Sequence, residues 1–161
     1  IGDYVLNATN GICKISEIVE LDMSGDKQLK SYFLLRPVEE ENDRGYIPVD
    51  NADKRIRKVI TQDEAQAVLD RVPEIEALAV NNEKERETRY KEAVRSCEPD
   101  SVISLLKCLH IRNEQRAQAG KKSTAVDERY GKMAEHNLNA ELAFVLEKDK
   151  QEIKDIIHDM L

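Results

Sequence analysis

The chain has 161 residues, enough for one domain or two small ones, with 35% charged residues, 4% aromatics and no tryptophan. That balance suits helices better than a large β core, and the length is sufficient to fold unaided. The net charge of −7 argues against indiscriminate coating of nucleic acid, and no run of about 18 apolar residues is present to span a bilayer.

The opening IGDYVLNATNG lacks the basic and then apolar regions of a secretory signal, which predicts a cytoplasmic protein. A start at Ile1 instead of Met predicts that a few residues precede it. Residues 1–60 are strand-like: YVLNA, GICKISEIVEL, LKSYFLLRPV, YIPV and IRKVI alternate with Asn10-Gly11, Ser24-Gly25 and a polar stretch from Glu39 to Gly45. Five short strands predict a small SH3-like or Tudor-like β-barrel, a scaffold that offers edges and loops to partners. SYFLLRPV is the most continuously apolar and is the expected central strand. Pro48 has no N–H to give a ladder, so YIPV is expected at an edge. Asn51 reads as a turn residue that bonds its own backbone.

From Thr61 the period becomes helical, which divides the chain into a barrel over 1–60 and an all-α domain over 61–161, an α+β architecture. Thr61 and Glu64 fit a capping box, Val68, Leu69 and Val72 face inward, and Pro73 breaks the helix before Ile75 and Leu78. NNEKERETRYKEAV opens a second helix with Tyr90 and Val94 as its apolar stripe, and Pro99 starts a third with Val102, Ile103, Leu105, Leu106 and Leu109 in the core. AQAGKKST is the next loop, after which Thr124 begins a long helix carrying Met133, Leu138, Leu142, Val145 and Leu146. Asp149 with Glu152 caps the last helix, whose Ile153, Ile156, Ile157 and Met160 close the bundle.

Charge is unevenly placed. Residues 107–132 hold seven basic and three acidic side chains, whereas 133–161 hold three basic and seven acidic. A basic segment in an acidic chain fits a confined phosphate-contacting face; a solvated helix face fits it as well.

Catalytic and metal chemistry is not evident. GKKST fails as a phosphate-binding loop, because the first glycine would fall at Gln115, position 122 is Lys, and the segment lies between helices. His110, His136 and His158 are far apart, and Cys108 with His110 lacks zinc spacing, so neither a metal nor another cofactor is expected. Cys13, Cys97 and Cys108 form no C-x-x-C pair and read as buried thiols in a reducing compartment. No enzyme is expected.

IGDYVLNATNGICKISEI, SYFLLRPV, YIPVDNADKRIRKVI, RYKEAVRSCEPDSVISLLKCLHIRNEQR and AEHNLNAELAFVL, in that order, resemble the CarD/CdnL family of bacterial transcription regulators over nearly the whole chain. The first domain also resembles the polymerase-interacting module of the transcription-repair coupling factor. The resemblance implies a monomer whose barrel adds its edge to the β1 lobe of the RNA polymerase β subunit. It implies helices that contact promoter DNA at the upstream fork of the bubble and modulate open-complex stability. By position it puts Leu21, Met23, Tyr46, Ile47 and Pro48 on the polymerase side and Arg86, Arg89, Tyr90 and Lys91 on the DNA side. Lys121, Lys122 and Lys132 join them from the charge count.

Two departures stand out. Relatives place a Trp wedge where this chain has Arg86, and an Arg where it has Tyr46. An arginine can meet a phosphate or a narrow minor groove but wedges poorly, which implies weaker or differently timed bubble stabilisation. The alternatives are a solvated helix for Arg86, Arg89 and Lys91, a core position for Tyr90, and a protein-interaction module without significant DNA binding.

Overall fold

A computed structural model covers residues 1–161 and divides between Val59 and Ile60 into two compact units. The first is a five-stranded antiparallel sheet of β1 (Tyr4–Asn7), β2 (Gly11–Leu21), β3 (Lys30–Pro37), β4 (Gly45–Pro48) and β5 (Ile56–Lys58), in the order β4-β3-β2-β1-β5. It is consistent with a Tudor-like domain, although the ladder does not close: β4 and β5 remain its two edges. Asn10-Gly11 turns the chain as expected, with Gly11 at φ +68° and the Asn7 side chain accepting from the Thr9 and Asn10 N–H groups at 3.0 Å.

The edge position of the proline strand is as expected, but the central strand is β2, not β3. The apolar run in β3 reports burial on both faces: Tyr32 and Leu34 are buried on one, Leu35 on the other. Centrality follows instead from length. The 11-residue β2 carries a register shift between Ile15 and Glu17 and pairs with both β1 and β3. Val5, Cys13, Ile15, Leu35, Ile47 and Ala52 form the core of this unit, with Phe33 and Ile56 against it. Burial pushes the Cys13 thiol up to about 11. Asn51 holds a left-handed conformation at φ 62°, but its side chain makes no capping bond to the turn that follows.

The second unit packs α1 (Gln62–Arg71), α2 (Arg86–Ser96), α3 (Pro99–Gln118), α4 (Ala125–Leu146) and α5 (Lys150–Met160) around one core. Ile60 packs against that core, so its side chain belongs with the helices. The capping box is complete: Thr61 accepts from Glu64 N–H at 3.2 Å, and Glu64 accepts from Thr61 N–H at 2.8 Å. Val72, Ile103, Leu105, Leu142 and Ile153 are all fully enclosed. After α1 the chain makes a short 3-10 turn at Val72–Glu74 and runs on without helix, strapped to α3. Lys107 donates to the Val72 and Ile75 carbonyls, and Ser104 donates to Glu76 O at 2.7 Å.

Three local expectations change. The loop before α4 begins only after Gln118, because α3 takes in Ala117 and Gln118. Met133 is 39% exposed, since the inward stripe of α4 passes through Tyr130, Ala134, Leu138 and Leu142 at helical spacing. At α5, Asp149 caps by accepting from Gln151 N–H at 2.8 Å, while Glu152 takes Lys148 instead of reaching back.

Thr61→Ala removes one half of the capping box and should cost the helical unit about 1 kcal/mol. A urea titration followed by helix circular dichroism should show the midpoint fall with the slope unchanged; an unaltered midpoint would mean that this cap contributes nothing.

Candidate functional site

On the sheet, the expected polymerase-facing residues split into two kinds. Ile47 is 7% exposed and sits in the core, opposite Phe33, so its side chain has no part in a surface contact. Tyr46 and Pro48 are half-buried and point to the other face. Leu21 ends β2 half-buried, and Met23, just beyond, is exposed. Ile18 and Leu29 lie exposed on the same β2–β3 hairpin and were not anticipated from sequence; only their neighbours were.

The ladder tells which main-chain groups β4 offers. Val49 N–H donates to Ser31 O at 3.0 Å, so by alternation Ile47 and Gly45 also turn their polar groups toward β3. Tyr46 therefore directs both N–H and C=O away from β3, and Pro48 directs only a C=O. An incoming strand can exchange a pair of bonds with Tyr46 and only donate to Pro48. The proline thus narrows the edge to one two-bond position.

The helical unit treats the expected DNA residues less evenly. Tyr90 is 0% exposed and is a core residue, which corrects its placement on a contacting surface. Its hydroxyl donates to Asp127 Oδ1 at 3.1 Å and accepts from Arg86 at 2.8 Å. Burial, partly offset by the hydrogen bond from Arg86 and reinforced by the Asp127 charge, pushes its phenol up to about 12. Arg86 grips Glu83 through Nε and Nη2 at 2.7–3.1 Å, and its side chain is 14% exposed. Arg89 is half exposed, at 4.0 Å from Glu92, and Lys91 is exposed. With about 100° per residue, Arg89 and Lys91 lie about 200° apart on α2, so the four residues do not make one face.

The basic segment is largely engaged within the fold. Lys107 holds carbonyls of the strap, Arg112 pairs with Asp127 at 2.8 Å, Arg116 donates to Lys122 O at 2.8 Å, and Arg129 pairs with Glu87. Lys121 and Lys122 remain exposed in the α3–α4 loop, and Lys132 is exposed on α4.

Sequence reasoning missed the group that organises this region: Glu83, Arg112 and Asp127. Asp127 has a side chain with 0% exposure and holds both Tyr90 and Arg112. Tyr130 extends the group, meeting Tyr90 edge-on at 6.0 Å and donating to Glu87 at 3.1 Å. One signal was available. Asp127 stands three residues after the N-cap Thr124, where a capping-box side chain would reach back, but it turns inward instead.

Residues 1–60 match the family model described as CarD-like/TRCF RID domain. No curated protein matches the chain.

Tyr90→Phe leaves Asp127 and Arg86 each one hydrogen bond short and should cost about 1–3 kcal/mol. A phenol raised by folding contributes stability that is present below its unfolded value near 10 and is lost as pH rises toward 12. Unfolding free energies between pH 8 and 12 should therefore decline more gently in the Phe variant; parallel declines would remove Tyr90 from the alkaline transition.

Proposed function

We propose that this chain is a transcription regulator that docks through β4 on the RNA polymerase β subunit, contacts promoter DNA near the upstream fork of the bubble and modulates open-complex stability. The premise is that its first domain is a CarD-like/TRCF RID domain, the RNA polymerase-interacting module of transcription-related proteins. The observation that carries the reading is the edge strand β4 within that domain, with Tyr46 offering an unused N–H and C=O pair in its register. With no guanidinium at position 46, docking on the β1 lobe depends on main-chain pairing and on Met23 and its apolar neighbours, so association is only weakly salt-dependent.

On the DNA side, Lys121, Lys122, Lys132, Lys91 and Arg89 are the side chains best able to reach phosphates, because none is held in a buried pair. The action is non-catalytic: a cytoplasmic monomer bridges two partners and shifts an equilibrium. No helix is long and apolar enough to cross a membrane. A second reading, polymerase docking without significant DNA contact, is favoured by the engagement of Arg86, Arg112 and Arg129 with carboxylates and by the missing Trp.

Tyr46→Pro removes the one outward N–H without touching a bond to β3, and should abolish capture by the isolated β1 lobe while the far-ultraviolet spectrum stays unchanged. Undiminished capture would reject strand addition at β4. A charge at Ile47 is unsuitable for this purpose because it would break the core. For the DNA contact, the wild type should lengthen open-complex survival after competitor challenge, and Lys121→Ala with Lys122→Ala should shorten it. The salt slope should fall by about 0.9 for each phosphate that the variant no longer neutralises. Equal lifetimes with and without the protein would leave the docking module as the better description.

A further inference from the structure

Glu83 is the exposed corner of an otherwise enclosed charge group. Its carboxylate receives Arg86 Nη2 at 2.7 Å and Arg112 Nη1 at 3.3 Å on the same oxygen, Oε1. Arg86 Nε donates to Oε2 at 2.9 Å. Both arginines are also held from behind. Arg86 Nη1 donates to the buried Tyr90 hydroxyl at 2.8 Å, and Arg112 Nε donates to the enclosed Asp127 at 2.8 Å. Their side chains are only 14% and 20% exposed, whereas that of Glu83 is 68% exposed.

This asymmetry matters. Asp127 and Tyr90 cannot leave without opening the core, but Glu83 can swing into water by side-chain rotation alone. Two guanidinium edges would then stay aimed at one point, fixed by their buried partners. Guanidinium edges converging on a single oxygen suit a phosphate oxygen as well as a carboxylate oxygen. The charges also balance: two arginines face Asp127 and Glu83, and one phosphodiester carries the single negative charge that Glu83 would withdraw.

We infer that Arg86 and Arg112 form a phosphate-binding site that Glu83 occupies as an internal, displaceable carboxylate. Its use on DNA rests on the promoter contact proposed above; the anion site itself does not. Glu83 then acts as a competitor. It holds the site closed to stray phosphates and yields only where other contacts bring a phosphate to it at high local concentration. The Arg86 and Arg112 side chains need no rearrangement when this happens, because the same donors serve both anions.

The test uses the whole chain as Glu83→Gln, with Glu85→Gln as the control for net charge. Glu85 lies two residues on in the same 3-10 turn, and the ion pairs of Arg86 and Arg112 go to Glu83 and Asp127, not to it. Anisotropy with forked promoter DNA should show Glu83→Gln binding about 3- to 10-fold tighter than Glu85→Gln at low salt, with a steeper salt slope by about 0.9. Adding Arg112→Lys, which keeps a charge against Asp127 but loses the second edge, should return the affinity to that of Glu85→Gln. In parallel, inorganic phosphate should move the Arg86 and Arg112 Nε–H resonances saturably in Glu83→Gln and less in the wild type. Unmoved resonances together with equal DNA affinities overturn the site. Resonances that respond to phosphate while DNA affinity is unchanged or absent uphold the anion site and reject its use on DNA, which separates this inference from the functional reading.

Discussion

The Asp127 carboxylate organises the packing of α2, α3 and α4 in the helical unit. It enters from the first turn of α4, receives Tyr90 from α2 and Arg112 from α3, and is closed off from water. A buried carboxylate in an apolar setting is tolerated only when both oxygens are matched, and here each oxygen has its own donor. Because the donors come from different helices, satisfying one charge fixes how three helices pack. Arg86, Glu83, Tyr130 and Glu87 are further links in the same polar network, which ties these helices together by directional contacts.

This explains why a helix start rich in arginine is a poor guide to a binding face. Guanidinium groups are as well suited to joining helices as to meeting phosphate, and the deciding quantity is what lies opposite them. Arg86 meets Glu83 and Tyr90, Arg112 meets Asp127, and Arg129 meets Glu87 across to α2. The lysines in the α3–α4 loop lack such partners within the core. Their short connection between two long helices keeps them at a bundle end, where a ligand can approach.

The sheet poses a comparable choice between structure and contact. Pro48 ends β4 at a position whose polar groups already point away from β3, so its missing N–H costs the ladder nothing. The same placement leaves the edge with few donors, which protects it from indiscriminate pairing and confines strand addition to Tyr46. Protection and selectivity here are one property of a single residue.

Much of the fold was legible in the sequence because it depends on local chemistry. Asn10-Gly11 sets a turn, Thr61 with Glu64 starts a helix, Pro99 begins another, and the spacing of Val68, Leu69 and Val72 marks a buried face. The change from strand to helical period near Ile60 falls where the chain divides. What the sequence could not decide was which neighbour each polar side chain would find. Ile47 and Tyr46 are adjacent, yet only the register against Phe33 and Leu34 assigns one to the core and the other to the edge. Tyr90, Arg112 and Asp127 are 15 or more residues apart, and nothing local relates them. Periodicity reports which face is buried; only the packed structure decides whether a charge on that face meets solvent, a ligand or another helix, because that depends on contacts made across the chain.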